Sequence, residues 1–343
     1  MIGARARGKM HKHNGTNCDD WFEFCRAGNW NIIAVSDGAG SARFSRVGAK
    51  TSCCAAVNTL KEKLEQFSLT DRSADEWFKD SGILDRDANW VFKKQDFAQV
   101  QSFLHDAIQN AFNALESAFR ERENNTEYAT LLGRELSIND FSCTLLLAVQ
   151  TTVEIQGILY SFYMTCQVGD GISAAVIRSR NGDLHLQLLG EPDGGEFSGQ
   201  TYFLTSKSKL EAASLRQKTF AQFGNLQALF TMTDGVADDY FPADPDLLRL
   251  FADLCMNRIL EISEPEKPEA EQATRLISVD FSTSQEQITK DGPKTVQLLS
   301  AGSLCKKMPI ELKELVKDYS LLSYISHKDT MQGVTSSEQR LLH

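Results

Sequence analysis

Two rhythms of apolar and polar residues alternate along the chain. Trp30 to Val35 is a near-continuous apolar run of the kind that predicts a buried strand, and it stops abruptly at Ser36-Asp37-Gly38-Ala39-Gly40. From about Val47 to Leu64 the rhythm changes: Cys53, Val57, Leu60 and Leu64 recur at steps of four, three and four, which predicts one face of a helix. A polar, charged stretch follows around Ser68 to Asp96. A second helix is predicted over roughly Phe97 to Glu121, with Val100, Leu104, Ile108, Leu115 and Phe119 on one stripe. Such stripes are read as core packing.

The middle of the chain is strand territory. Phe141 to Val149, Val153 to Val168 (two strands or one long bent one) and Ile172 to Arg178 are rich in β-branched and aromatic residues. Asn181-Gly182, between Val176-Ile177-Arg178 and Leu184-His185-Leu186, predicts a hairpin, because a type I′ turn needs positive φ twice. Further strands are predicted at Thr201 to Thr205, Leu229 to Thr233 and Thr295 to Leu299. A helix is expected over Leu247 to Ile262, after Pro245 and before the breakers Pro265 and Pro268. Beyond Ala301 a short helix near Pro309 to Leu322 leads into a polar tail. With no internal repeat or low-complexity linker, one large domain over residues 1–300 and a C-terminal helix and tail over 301–343 fit best.

Composition narrows the function classes. The chain of 343 residues is 42% hydrophobic and 24% charged, ordinary for a globular protein, with a formal charge of −10. An acidic balance argues against a dedicated nucleic-acid binder. No apolar run is long enough for a membrane span, and the basic segment Met1 to His13 lacks the apolar region of a secretory signal. The eight cysteines form no Cys-x-x-Cys pair and most lie in apolar segments, which predicts reduced, packed thiols and a cytoplasmic location.

Four places carry chemistry. They are Asn17-Cys18-Asp19-Asp20, Ser36-Asp37-Gly38-Ala39-Gly40, Val168-Gly169-Asp170-Gly171 and Thr233-Asp234-Gly235-Val236-Ala237-Asp238. Three of them place Asp-Gly at the end of a predicted strand, where a carboxylate can meet others from neighbouring strands. The glycine permits a sharp turn and exposes a carbonyl, itself a hard oxygen donor. Asp-Gly is also a frequent turn dipeptide; what sets these apart is that each follows a buried-strand pattern. An all-oxygen donor set suits Mg²⁺ or Mn²⁺ rather than zinc. Two such ions about 3.5–4 Å apart can activate water and clamp phosphoryl oxygens.

These residues resemble the PPM, or type 2C, protein phosphatase family, in particular its divergent bacterial branch. Asp19-Asp20 is similar to the family's N-terminal acidic pair, Asp37-Gly38-Ala39-Gly40 to its Asp-Gly-x-Gly motif, and Phe141-Ser142-Cys143-Thr144 to its Ser/Thr-rich strand start. Val168-Gly169-Asp170 and Thr233-Asp234-Gly235-Val236-Ala237-Asp238 resemble two further motifs, and order and spacing hold over about residues 8–300. Gly195-Glu196-Phe197 with Thr201 to Thr205 adds to the likeness. The resemblance implies an α+β fold, a four-layer α-β-β-α sandwich of two antiparallel β-sheets flanked by helices. It also implies hydrolysis of phosphoserine and phosphothreonine in proteins by a metal-activated water at a binuclear Mg²⁺ or Mn²⁺ site, with a weaker third ion. Asp37 would bridge the two metals and serve catalysis, with the Gly38 carbonyl and Asp19 or Asp20 on one ion and Asp234 on the other. Asp170 and Asp238 match positions that serve the third.

There are departures. The family's last metal aspartate falls here on Gly292, so Asp291, one residue early, substitutes only where the loop shifts. Ala39 stands where many members carry a candidate general-acid His, and Gly15 where many carry a phosphate-gripping Arg. His11, Lys12 and His13 lie close by, either as a source of a cation or proton, with His11 the catalytic candidate, or as solvated residues of a basic terminus. The expected partners are a phosphorylated protein substrate and a cognate Ser/Thr kinase, with no nucleic acid and no membrane. The alternatives are a pseudophosphatase kept as a binding or regulatory module, and an unrelated acidic-site Mg²⁺ enzyme acting on a small phosphate ester.

Overall fold

Alternation within single strands builds the molecule's layers. The computed structural model describes residues 1–69, 94–155, 158–178, 184–190, 201–240, 243–260 and 298–300. Its strands are β1 (Trp21–Ala27), β2 (Trp30–Ser36), β3 (Leu145–Ile155), β4 (Ile158–Val168), β5 (Ile172–Arg178), β6 (Leu184–Leu188), β7 (Thr219–Met232) and β8 (Leu298–Ser300). Every pairing is antiparallel, in the order β1-β2-β3-β4-β7-β5-β6-β8. The long strand β7 is shared. Its first part, to Gly224, pairs with β4, and its later part, from Asn225, pairs with β5.

The two sheets stack, and the pleat shows it. On β4, Tyr160, Phe162, Met164, Cys166 and Val168 join the core beneath the helices α2 (Ser45–Leu64) and α3 (Lys94–Glu123). The alternate residues Ser161, Tyr163, Thr165 and Gln167 are buried facing the second sheet. There the Tyr163 hydroxyl donates to Gln187 Oε1 at 3.1 Å and Thr165 Oγ1 donates to the Leu189 carbonyl at 2.6 Å. On β5, Ala175 and Ile177 share this middle layer with Tyr163 and Phe220. Ile172, Ala174 and Val176 point the other way, onto Leu247, Leu250 and Phe251 of helix α4 (Ala243–Met256). The layers therefore run helix, sheet, sheet, helix, as the resemblance implies. Buried polar groups of the middle layer thus hydrogen-bond across the sandwich beside its apolar contacts.

The helices form where the sequence predicts them, with α2 and α3 each starting two or three residues earlier than expected. Trp30 anchors the helical side: its ring is edge-on to Phe162 at 6.0 Å and its indole N–H donates to the Phe67 carbonyl at 2.8 Å. Burying a side chain of this size stabilises by roughly 1.5–3 kcal/mol or more.

Four strand expectations change. The run Phe141 to Val149 begins instead as a 3-10 helix, Ile138–Phe141, closed by a reciprocal Ser137–Asp140 cap. Its strand begins only at Leu145 and extends to Ile155, so Val153 to Val168 is divided between the facing strands β3 and β4. The predicted strand Thr201 to Thr205 is absent as a ladder and is held by separate contacts: the buried Leu204 donates its N–H to the Cys143 carbonyl at 2.8 Å, and Thr205 Oγ1 lies 2.9 Å from Ser142 Oγ. β7 starts ten residues before the predicted Leu229, because its polar, glycine-containing first part crosses between sheets and breaks the alternation. The helix expected at Leu247 to Ile262 runs instead over Ala243–Met256, with Pro245 inside its first turn, where proline's missing N–H costs nothing. The Asn181-Gly182 turn lies outside the described residues, while β5 and β6 pair around it as the hairpin requires.

Among the described residues no helix is long and apolar enough to cross a membrane, and none of the seven cysteines there forms a disulfide. Residues 261–297 and 301–343 lie outside the described residues, and with them Asp291 and the predicted tail helix.

Candidate metal centre

Antiparallel register brings the four acidic places to one end of the sandwich. Trp21 pairs with Ser36, Val35 with Leu146, Leu145 with Val168, and Ile172 with Met232. The start of β1, the end of β2, the start of β3, the end of β4, the start of β5 and the end of β7 thus share one edge. Asp20, Asp37, Asp170 and Asp234 stand in the turns just beyond it.

Backbone hydrogen bonds hold Asp37 firmly. Its N–H donates to Thr144 Oγ1 at 2.8 Å, and its carbonyl accepts from the Thr144 N–H at 2.8 Å. Ser36 Oγ donates to the Thr144 carbonyl at 2.5 Å, and Gly38 bridges to Cys143. The following turn is clamped by Ala39 N–H on the Ser142 carbonyl at 3.0 Å and Phe44 N–H on the Asp140 carbonyl at 2.7 Å. Asp140 is itself gripped by Arg134, whose Nη1 donates to Oδ2 at 2.8 Å, and this pairing holds the carboxyl below the usual carboxylate range. Two glycines are required by space. A Cβ on Gly38 would lie 2.9 Å from the Asp19 carbonyl oxygen. Gly169 has φ +124°, and a Cβ there would lie 2.5 Å from the Thr144 side chain.

The electrostatics are those of crowded carboxylates. Burial pushes the Asp37 carboxyl up to about 9, and the charges of Asp234, Asp20 and Asp170 and a side-chain hydrogen bond with Asp20 push the same way. Burial, then Asp170, pushes Asp234 up to about 6, although its Oδ1 accepts from the Gly235 N–H at 2.6 Å. Asp238 is exposed, yet partial desolvation and Asp170 also raise its carboxyl. Its turn is tied to α4 by the Tyr240 hydroxyl, which donates to Asp253 Oδ2 at 2.7 Å. Asp19 is raised by burial, an effect opposed by the charges of His11 and Arg46 and reinforced by Asp20.

The structure therefore joins Asp20, Asp37, Asp170, Asp234 and Asp238 in one electrostatic neighbourhood and sets Asp19 at its rim. Among the described residues, no three His, Cys, Asp or Glu side chains gather closely enough to hold one ion by themselves. The donor chemistry nonetheless fits hard divalent cations. The donors are oxygens, and burial together with the charges of Asp234, Asp20 and Asp170 disfavours the charged form of Asp37, a repulsion that a bound cation relieves. His11, in helix α1 (Lys9–His13), lies at the rim: its Nδ1 is 2.9 Å from Thr16 Oγ1 and 3.9 Å from Asp19 Oδ2.

Two residues matter that the sequence pattern does not single out. Thr201 Oγ1 donates to Asp170 Oδ2, which orients that carboxylate. Arg46, in the first turn of α2, sets its charge against Asp19. Arg46 belongs to no motif, and Thr201 lies in the Thr201 to Thr205 stretch of the likeness with no site role implied there; only the fold brings them to the site.

The family model described as protein phosphatase 2C matches residues 7–273. No curated protein matches the chain. Among solved structures, a bacterial serine phosphatase bearing an arginine-to-lysine mutation is similar at 13% identity and TM-score 0.39, over 82% of this chain and 90% of that one. RsbX in complex with magnesium is similar at 13% identity and TM-score 0.28, over 64% of this chain and 68% of that one.

Proposed function

This chain belongs to the protein phosphatase 2C family, and from that premise we propose that it hydrolyses phosphoserine and phosphothreonine in proteins at the carboxylate cluster around Asp37. The observation that carries the proposal is the meeting of Asp20, Asp37, Asp170 and Asp234 at one sheet end, where burial and mutual repulsion push Asp37 up to about 9.

In this reading Asp37, Asp234, the Gly38 carbonyl and one of Asp19 and Asp20 would hold two Mg²⁺ or Mn²⁺ ions, and Asp170 and Asp238 would serve a weaker third site. Asp291 is a further candidate ligand. Bound there, such ions would supply the positive charge that favours deprotonation of a water and offsets charge on the phosphoryl oxygens. Thr144 fixes the Asp37 backbone from both sides and Thr201 fixes the Asp170 carboxylate, so the cluster meets its ligand in a set geometry. Hydrolysis joins the water oxygen to phosphorus and breaks the bond from phosphorus to the seryl or threonyl oxygen, which must take a proton. His11 is the candidate donor: Nδ1 faces Thr16 and Asp19, so Nε2 is the atom that would deliver the proton. A Ser/Thr kinase would supply the substrate.

The experiment is hydrolysis of p-nitrophenyl phosphate and of a phosphothreonine peptide with and without Mn²⁺, for the natural chain and for Asp37→Asn. Mn²⁺-dependent turnover that falls at least about 100-fold in Asp37→Asn supports the proposal. Turnover on sugar phosphates far above that on phosphopeptides would reassign the enzyme to small esters. A second reading, a pseudophosphatase, is favoured by the lack of a three-ligand group among the described residues and by Ala39 and Gly15 at the family's catalytic and phosphate-gripping positions. No Mn²⁺-dependent turnover in a folded preparation would select it.

A further inference from the structure

Two stretches of this acidic protein that carry positive charge and no acid lie beside the carboxylate cluster. Residues 1–18 contain Arg5, Arg7, Lys9 and Lys12, and residues 38–60 contain Arg43, Arg46 and Lys50; neither segment holds an Asp or Glu, in a chain of net charge −10. The fold joins the two segments. The Arg5 Nη1 donates to the Asp20 carbonyl at 2.9 Å and Arg7 Nη1 to the Thr16 carbonyl at 3.2 Å, which straps the N-terminal segment along the start of β1. Trp21, the residue after Asp20, takes the Arg5 guanidinium at 4.3 Å and the Lys50 ammonium at 4.8 Å from its ring centroid, so one indole links the strap to α2. Arg5, Arg7, Lys12, Arg43, Arg46 and Lys50 are all exposed. His11 Nδ1 lies 3.9 Å from Asp19 Oδ2 and the Arg46 charge acts on the same carboxyl, so this ridge begins at the rim of the cluster.

We propose that this basic ridge selects the substrate: phosphoserine or phosphothreonine set among aspartates and glutamates, with the flanking carboxylates lying along Arg5, Arg43, Arg46 and Lys50. The inference rests on the phosphatase reading for its phosphorylated residue. Charge complementarity decides the flanks. An acidic segment meets net repulsion from a protein of charge −10 and local attraction along this ridge, whereas a lysine-rich segment meets the reverse. Exposed single pairs contribute about 0.2–1 kcal/mol each, so several together are needed for selection. Nucleic acid is the less favoured occupant, because the ridge ends at a carboxylate cluster that a continuous phosphodiester backbone would have to cross.

The test has two arms. In the first, fluorescence anisotropy measures binding of peptides bearing a non-hydrolysable phosphonate analogue of phosphothreonine, with acidic, alanine or lysine flanks, in Mn²⁺. The acidic peptide should bind best and lose its advantage at high salt. The triple variant R43A/R46A/K50A, checked for an unchanged melting temperature, should lower the acidic-over-lysine preference by about tenfold or more. Arg46→Lys should retain most of it. Equal binding of acidic and lysine-flanked peptides overturns the proposal, as does a single-stranded oligonucleotide or an anionic vesicle that binds as tightly as the acidic peptide. The second arm is Mn²⁺-dependent hydrolysis of p-nitrophenyl phosphate, which carries no flanks. Its failure alongside acidic-peptide binding would remove the phosphatase reading and leave the ridge a docking site for acidic segments.

Discussion

Asp37 shows how a single residue can be costly to the fold and suited to a ligand at once. Without a cation it sits half-buried among Asp20, Asp170 and Asp234, and its charged form is disfavoured. Asp37→Asn removes that charge while keeping the shape. The variant should therefore melt higher than the natural chain in EDTA at pH 8, by calorimetry, while losing the Mn²⁺-induced rise in melting temperature. A lower melting point in EDTA would show that Asp37 is not electrostatically strained. Thr201 makes a quieter contribution, since it donates to Asp170 and touches no reacting atom. Thr201→Val should weaken metal affinity by about 10–100-fold, measured by calorimetric titration, with little change in the metal-free melting temperature. Asp37, Asp170 and Asp234 were legible in the sequence because each follows the end of a recognisable strand. Thr201 was not, because its partner lies 31 residues away and nothing local marks the pairing.

At the level of elements, the site depends on how closely α2 approaches the turn that precedes β3. A Cβ added at Gly48 would lie 2.1 Å from the Phe141 carbonyl oxygen, with backbone rather than a flexible side chain in the way. Gly48→Ala should therefore destabilise by about 1–3 kcal/mol in urea denaturation, despite alanine's better helix propensity. It should also disturb the Phe44–Asp140 clamp that shapes the turn after Asp37. The helices were readable from their apolar stripes, because an amphipathic helix carries its own periodicity. β7 was only half readable. Its register shifts between Val176 and Ile177 of its neighbour, and it serves two sheets in succession, so no single alternation runs along it. The Thr201 to Thr205 segment has strand-like residues but no ladder, since β propensity reports fitness for a pleated surface and cannot supply a partner strand.

The whole molecule carries the linkage between protons, metal and stability. The folded-state values of Asp37, about 9, and Asp234, about 6, both lie above the ordinary 3.8. The metal-free native state therefore binds more protons than the unfolded chain across this window. The stabilisation these two groups give is fully present below about pH 3.8 and is lost as pH rises through about 6 for Asp234 and about 9 for Asp37. In EDTA the melting temperature should consequently fall from pH 5 to pH 9 more steeply than in Asp37→Asn. Saturating Mn²⁺ should raise it most at the alkaline end, where ligands are free of protons. A metal-induced shift independent of pH would contradict this. The sequence by itself determined the strand-ending aspartates, the amphipathic helices and the family motifs, because each is written in residues a few positions apart. Only the tertiary structure decided that those aspartates share one sheet end and repel one another, that Thr201 orients Asp170, and that the basic residues of the terminus and α2 meet across Trp21. Those relations join residues far apart in the chain, and antiparallel register, not local propensity, sets their distances.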